Sequence, residues 1–214
     1  MTLTENKDLQ HPRFAKMYLG IAERADRLGG TEHRQRLLAG LTGKVIEVGA
    51  GHGVNFAHYP DTVSSVVAVE PDDTLRGYAE SAAAQVSTSI TVVVGHADAL
   101  PAQEGEFDGA VASLVLCTVP RPDHALAEIR RVLRPGGVLS FYEHVRFASA
   151  FGGRMQDLIR PLWTRVGGGC HPNRDTVRAI EAAGFQIEQL DQFPFKPIAY
   201  VPAFTHVIGH ARKL

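Results

Sequence analysis

Val45-Ile46-Glu47-Val48-Gly49-Ala50-Gly51-His52-Gly53 combines an apolar run with three glycines at alternate positions. The apolar run predicts a buried strand, because short runs of this kind favour the interior of a sheet. The glycines then permit a tight turn and allow a ligand to approach the bare backbone closely. A helical pattern follows at 54–58, so we expect the free N–H groups of a helix N-terminus to face the ligand.

A second apolar run, at 65–69, ends at the acidic residue Glu70. The carboxyl ends of parallel strands share one sheet edge, where a carboxylate can accept hydrogen bonds from both hydroxyl groups of a ribose. Dinucleotide binding requires G-x-G-x-x-G, and Val54 breaks that spacing. The spacing G-x-G-x-G, with Glu47 before it, therefore indicates a nucleoside-binding crevice of another kind.

The composition is that of one ordinary globular domain. The chain has 214 residues, of which 44% are hydrophobic and 21% are charged. Its formal net charge is −1, and its lysines and arginines are spread along the chain. These values give no electrostatic signature of nucleic-acid binding, so we expect a small-molecule partner. The oligomeric state is not predicted.

The two cysteines, Cys117 and Cys170, suggest neither a disulfide framework nor a C-x-x-C zinc motif. No grouping of histidine and acidic residues has metal-ligand spacing, so the sequence predicts no metal. Residues 1–10 are polar and acidic, without the apolar stretch of a signal peptide, and no run is long enough to span a membrane. We expect a reducing, cytoplasmic setting.

Strand and helix patterns alternate after Gly43, which predicts an α/β fold. The predicted strands are 44–48, 65–69, 90–94, 109–113 and 138–142, with a closing pair at 185–190 and 204–211. The predicted helices are 54–58, 74–85, 123–133 and 173–183, the last with Asn173 as its N-cap. The result is a Rossmann-like, mostly parallel seven-stranded sheet with helices on both faces. Residues 1–42 form an N-terminal helical region, broken at 29–30, and 43–214 form the ligand-binding part of what is one compact domain overall.

The glycine loop resembles motif I of the class I S-adenosylmethionine-dependent methyltransferases. After the third predicted strand, Gly95-His96-Ala97-Asp98-Ala99-Leu100-Pro101 is similar to the G-D-A-x-x-L-P pattern of that superfamily. His96 stands where the family has the aspartate that contacts the adenine amino group. A histidine can still approach the adenine edge, but as a different hydrogen-bonding partner.

The second half of the chain resembles a narrower group, the methyltransferase-like subfamily of mammalian alkyl thiol S-methyltransferases and bacterial small-molecule relatives. The similar segments are 114–119, 130–137, Glu143-His144-Val145, Trp163, Gly169-Cys170 and 206–209. The resemblance implies methyl transfer from S-adenosylmethionine to a thiol, with S-adenosylhomocysteine as product. The alternatives are methylation of oxygen or nitrogen in a small phenol, carboxylate or amine and, more distantly, a non-catalytic cofactor-sensing module.

The resemblance also implies a set of cofactor contacts. Glu70 would hold the ribose, His96 and Ala97 would meet the adenine, and a backbone carbonyl near Leu114 would accept from the methionine ammonium. The full set comprises Tyr18, Glu47, Gly49, Ala50, Gly51, Gly53, Asn55, Glu70, Pro71, His96, Ala97, Asp98, Ser113 and Leu114.

On the acceptor side we expect His144 to act as a base or to hold the acceptor anion, because it lies at the carboxyl end of the fifth strand. Glu143 is expected to orient it, and His171 is a further catalytic candidate. The residues expected to bind the acceptor are Phe14, Trp163, Cys170 and His206. In this superfamily an N-terminal helix often folds over the site as a lid, a role that residues 1–42 would fill. Cys117 is expected to be a core residue.

Overall fold

The computed structural model describes residues 10, 12–196 and 203–214, without the side chains of residues 12–14, 16 and 166. Seven strands lie in one sheet. They are β1 (Gly43–Val48), β2 (Val63–Val69), β3 (Ser89–Val93), β4 (Phe107–Ser113), β5 (Leu133–His144), β6 (Phe185–Phe195) and β7 (Phe204–Lys213).

The strand order is β3-β2-β1-β4-β5-β7-β6. Strands β1 to β5 pair in parallel, whereas β7 is antiparallel to both β5 and β6. Strands β2 and β3 extend the sheet to one side of β1, and β4 begins its extension to the other side, so the strand order reverses between β1 and β4. Ligands of open α/β sheets bind at such a switch point, beyond the carboxyl ends of the strands. The predicted seven-stranded, mostly parallel sheet is confirmed.

Six α-helices pack around the sheet in the described part of the chain. They are α1 (Pro12–Ala25), α2 (Thr31–Leu38), α3 (Asp73–Ala83), α4 (Pro122–Val132), α5 (Ala150–Val166) and α6 (Thr176–Ala182). A π-helical turn at Asp26–Gly30 joins α1 to α2, at the break that the two glycines predicted. None of the described helices has the length and apolar character needed to cross a bilayer.

Each face of the sheet carries its own hydrophobic core. Successive residues of a strand point to opposite faces, so Ile46 packs with Leu126 of α4 and Ile180 of α6, whereas Val45 packs with Leu37 of α2 and Ala79 of α3. Helices therefore cover both faces, as predicted. Because α2 contributes to the second core, this part of the N-terminal region is packed into the domain.

Two helix predictions are wrong for local reasons. The predicted helix 54–58 is only a short 3₁₀ turn at Phe56–His58. Pro60 disfavours the helical conformation of the residue before it, and Tyr59 is extended at ψ 131°. Helix α5 was missed, because Gly152, Gly153 and Pro161 all argue against a helix.

The N-terminal cap of α6 is also shifted from the predicted position. Asp175 accepts a hydrogen bond from the Arg178 backbone N–H and forms the cap, whereas Asn173 donates from its side chain to Asp157. An aspartate and an asparagine two residues apart are equally good caps by composition, so only the backbone geometry distinguishes them.

Candidate active site

The glycine loop after β1 has a left-handed backbone at all three alternate glycines. The φ angles of Gly49, Gly51 and Gly53 are 67°, 59° and 80°. A Cβ atom at Gly49 would lie 2.6 Å from a methyl group of Val115, whereas one at Gly51 would meet only Tyr18, at 3.8 Å. Gly49 is therefore required for packing, and Gly51 faces open space beside Tyr18.

The first three backbone N–H groups of this loop are directed into the protein. Gly49 and Ala50 donate to the Val69 carbonyl at 2.8 and 3.0 Å, and Gly51 donates to Oε2 of Glu70 at 2.8 Å. The expected helix N-terminus with free N–H groups is therefore wrong. The loop offers a ligand its side-chain-free surface for close approach, with the carboxylate of Glu70 beside it.

Glu70 lies immediately after β2, as expected, and is fixed from two sides. Its Oε2 accepts from Gly51, and its Oε1 accepts from the Asp72 backbone N–H at 2.9 Å. Burial raises the pKa of Glu70 to about 7, and the charge of Asp72 adds to the rise, while the two N–H donors and Arg76 oppose it. The carboxylate is thus oriented and poorly solvated at the sheet edge.

A buried polar network supports the glycine loop from below. Glu47 accepts hydrogen bonds from Asn55 at 2.7 Å and from the Tyr59 hydroxyl at 2.8 Å. Asn55 accepts in turn from Arg34 at 3.1 Å, and Arg34 also pairs with Asp26 in the π-helical turn. Burial raises the pKa of Glu47 to about 6. These contacts engage Glu47 and Asn55, both expected as direct cofactor contacts, in holding the loop to the N-terminal helices.

Two histidines of the crevice carry unpaired polar atoms. Within the described residues, Nδ1 of His52 and Nε2 of His96 are buried and have no hydrogen-bond partner. The His52 ring contacts the Tyr18 ring edge-on, with centroids 5.6 Å apart. Buried polar groups without partners are rare, so these atoms fit a ligand that brings its own donors and acceptors. With Glu70 and Gly51, they fit a nucleoside such as that of S-adenosylmethionine. His52 carried no sequence signal of its own.

The remaining predicted cofactor contacts lie along the same sheet edge. The Pro71 carbonyl accepts from Gln10, which ties the N-terminal segment to the β2–α3 turn. Asp98 forms an ion pair with Arg121 at the start of α4, and this guanidinium lowers the pKa of its carboxyl. Ala97 packs against the first core, and Ser113 ends β4.

The loop after β4 is strained and held by one carboxylate. Leu114 has a φ of 58°, the only left-handed value at a non-glycine residue in the described chain. Glu143 accepts from the backbone N–H groups of Val115, Leu116 and Cys117 at 3.0, 2.8 and 2.9 Å. Such a strained conformation persists only where its surroundings enforce it, and Glu143 supplies that enforcement.

The expected role of Glu143 in orienting His144 is therefore wrong. Successive strand residues point to opposite faces, so Glu143 extends under the loop to its backbone N–H groups, whereas the His144 ring faces the sulfur atoms of the two cysteines. Burial raises the pKa of Glu143 well above its ordinary value, and the N–H donors of Leu116 and Cys117 lower it.

His144 lies between the two cysteines. Its Nδ1 is 3.4 Å from Sγ of Cys170 and 3.6 Å from Sγ of Cys117, and the two sulfurs are 3.7 Å apart. Such a group can hold a metal ion. The sequence argument from spacing missed it, because its members come from three distant segments. Both cysteines are buried, and burial together with the neighbouring Cys170 raises the pKa of the Cys117 thiol.

Aromatic rings surround the other side of His144. The ring of His206 lies 4.4 Å from it, and Phe204 contacts both His144 and Trp163. Nδ1 of His206 is 3.0 Å from the Phe204 carbonyl, which can only accept, so this nitrogen carries the proton. Burial lowers the pKa of His206 to about 3, and His206 is therefore neutral.

Two further candidates border this region. The His171 backbone N–H donates to the Cys117 carbonyl at 2.7 Å, which locks its loop onto the loop after β4. Within the described residues, Nδ1 of His171 and Nε1 of Trp163 are buried without a hydrogen-bond partner. The structure thus brings Cys170 and His206 to His144, and Trp163 to Phe204 beside it. The acceptor-binding role of these residues stays a prediction. The side chain of Phe14 lies outside the described residues.

The chain is similar in sequence and in fold to known methyltransferases. Residues 46–141 match the family described as methyltransferase domain. The Homo sapiens thiol S-methyltransferase TMT1B is 35% identical over 184 residues, which cover 82% of this chain and 74% of that protein. The Homo sapiens thiol S-methyltransferase TMT1A is 31% identical over 181 residues, covering 82% and 73%. A solved methyltransferase from Thermotoga maritima, described as a possible histamine N-methyltransferase, superposes with a TM-score of 0.72 at 22% identity, over 95% of this chain and 98% of that one.

Proposed function

The chain belongs to the family of S-adenosylmethionine-dependent methyltransferases, and from this premise we propose that it methylates the sulfur of a small, apolar thiol. The observation that carries the proposal is the extent of the similarity to thiol S-methyltransferases. A continuous span covering 82% of a 214-residue chain must include everything from about residue 40 to about residue 175. It therefore takes in His144, Trp163 and Cys170 as well as the cofactor-binding half.

We propose that the cofactor is held along the carboxyl edge of the sheet. Glu70 would accept from the ribose hydroxyls, the surface of Gly51 would allow close approach, and His96 would pair with the adenine edge. The Leu114 carbonyl would accept from the ammonium group. The cofactor supplies the methyl group already activated as a sulfonium, so the protein has to position the acceptor and exclude water. Gln10 and Tyr18 of the N-terminal region would cover this crevice.

The acceptor would lie among the aromatic rings around His144. Their apolar surface favours a hydrocarbon or aryl group, and the buried Trp163 Nε1 offers a single donor. A thiol must lose its proton before it attacks, and the thiol of free cysteine has a pKa of about 8.5. A group that stabilises the thiolate is therefore required, and His144 lies where such a group is needed.

The proposal is tested with isosteric acceptors that differ only in the nucleophilic atom. The protein is incubated with S-adenosylmethionine and thiophenol, phenol or aniline, and with butanethiol, butanol or butylamine, and S-adenosylhomocysteine release is measured. We expect release with the two thiols only. Release with phenol or aniline but not with thiophenol would replace the thiol assignment by oxygen or nitrogen methylation. Cofactor binding without release from a broad acceptor panel would indicate a cofactor-sensing module instead.

Trp163→Ala tests the acceptor pocket. We expect KM for thiophenol to rise about tenfold while kcat changes little, because the ring contributes apolar contact to bound acceptor rather than to the reacting atoms. Steady-state kinetics with thiophenol and with the smaller methanethiol measure the effect, which should be weaker for methanethiol. The matched control is Phe151→Ala on the same helix, where the side chain is 77% exposed. Equal KM values for Trp163→Ala and the wild type would exclude this pocket.

A further inference from the structure

We propose that Cys117, His144 and Cys170 bind a thiophilic divalent cation, best matched by Zn²⁺, and that the acceptor thiolate occupies its fourth coordination position. The part concerning the acceptor rests on the proposed function, whereas metal binding does not. In the described chain the group contains one histidine and two cysteines and no fourth side-chain ligand. Three protein ligands with one open position are typical of catalytic zinc sites.

The ligand atoms already have the spacing of a tetrahedron. With Zn–S bonds of about 2.3 Å and Zn–N bonds of about 2.0–2.1 Å, tetrahedral geometry requires S–S edges of about 3.8 Å and S–N edges of about 3.6 Å. The observed S–S distance is 3.7 Å, and the two S–N distances are 3.4 and 3.6 Å. Hydrogen bonds between the thiols and the imidazole would not require the S–S distance and both S–N distances to match the edges of a tetrahedron.

Backbone contacts hold the three ligands in place independently of any ion. Cys117 is fixed through its own N–H to Glu143, and His144 is the next residue of β5. The Cys170 loop is fixed by the hydrogen bond from His171 to the Cys117 carbonyl. A site whose ligands are held by their own supporting contacts binds metal without refolding, so the geometry is preorganised.

The surrounding charges select a divalent ion. Metal ligation requires both thiols as thiolates, which places two negative charges on the ligand set. Arg174, which donates to the Leu116 carbonyl and acts electrostatically on both cysteines and Glu143, supplies one positive charge. A divalent cation balances the two thiolates, whereas a monovalent copper ion leaves them with a net negative charge. Soft thiolate ligands disfavour Mg²⁺ and Ca²⁺, and tetrahedral coordination by two cysteines and one histidine is typical of Zn²⁺.

The open position explains how a thiol would be activated at neutral pH. A thiol that coordinates the ion loses its proton to solvent, because the metal stabilises the thiolate. The sulfur then forms a bond to the methyl carbon as the sulfonium bond breaks, and both electrons of that bond remain with S-adenosylhomocysteine. The thioether product carries no charge and is a weaker ligand, so it leaves the metal.

The test measures metal binding without any acceptor. Protein reduced with a phosphine, which does not compete as a thiol ligand, is freed of metal with a chelator and titrated with Zn²⁺ against a chromophoric chelator. We expect one Zn²⁺ per chain, and an affinity about a hundredfold or more lower in Cys170→Ser and His144→Gln. The control is His124→Gln, on the exposed face of α4, and calorimetric titration with S-adenosylmethionine shows that each variant remains folded.

Co²⁺ substitution then examines the fourth position. We expect sulfur-to-cobalt charge-transfer absorption in the wild type, a change in that spectrum on adding butanethiol, and none on adding butanol. Failure of the wild type to bind Zn²⁺ or Co²⁺ stoichiometrically would overturn the site, whatever the acceptor specificity. A metal-bound spectrum unchanged by thiol would overturn the acceptor position. Metal binding with a thiol-dependent spectrum but no S-adenosylhomocysteine release would instead contradict the proposed function.

Discussion

Glu143→Ala is expected to lower the free energy of unfolding by about 3 kcal/mol or more, because it leaves two buried and one partly buried backbone N–H group without an acceptor. Each orphaned buried donor costs about 1–3 kcal/mol, and the cavity left by the side chain adds to the loss. Glu143→Gln should be less severe. The amide oxygen of glutamine can still accept hydrogen bonds from the loop, but its NH₂ group then faces one of the three backbone N–H donors.

Urea denaturation at neutral pH measures the effect. The control is Glu188→Ala, which removes an exposed carboxylate of β6 that pairs with Arg212 of β7 and should leave the midpoint nearly unchanged. In the alanine variant the strained backbone at Leu114 should also relax, so cofactor binding and Zn²⁺ binding should weaken together. A wild-type midpoint in Glu143→Ala would show that the three N–H groups find other partners and that Glu143 does not hold the loop.

The parts of the fold that could be predicted depend on local patterns. The apolar run before Gly49, the alternate glycines and the acidic residue after the second strand each act within a few residues, and parallel topology then brings Glu70 to the loop. The helices with a clear apolar periodicity also appeared where expected. The helix at 54–58 failed because Pro60 restricts the preceding residue, which outweighs a short helical pattern.

The parts that could not be predicted depend on contacts between distant segments. Glu143 was assigned to its neighbour His144, but the strand register directs it to the loop after β4. Cys117, His144 and Cys170 have no motif spacing, since each lies on a different segment, and only the sheet topology brings them together. A sequence pattern identifies chemistry carried by one turn, whereas chemistry assembled from three segments requires the tertiary structure.

Glu70→Gln is expected to weaken S-adenosylmethionine binding about a hundredfold. An ionised carboxylate has about four acceptor positions, of which Gly51 and Asp72 use two, and the two ribose hydroxyls would use the others. Glutamine offers a single oxygen and places an NH₂ group against one of the N–H donors. Charged hydrogen bonds contribute about 1.5–3 kcal/mol each, so the loss of one or two of them gives the expected factor. Calorimetric titration measures the affinity, with Glu80→Gln, on the exposed face of α3, as the matched control.

The pH dependence of the same affinity separates the charge of Glu70 from its shape. Because the pKa of Glu70 is raised to about 7 in the folded protein, the ionised fraction rises about tenfold between pH 6 and pH 8. Cofactor affinity should rise by the same factor. Burial lowers the pKa of His52, which displaces its titration toward the acidic end of this range. Stability without cofactor should run the other way, because the folded state binds the extra proton and loses that advantage as the pH rises through about 7. In Glu70→Gln both slopes should flatten, and a wild-type slope that persists in this variant would assign the titration to another group.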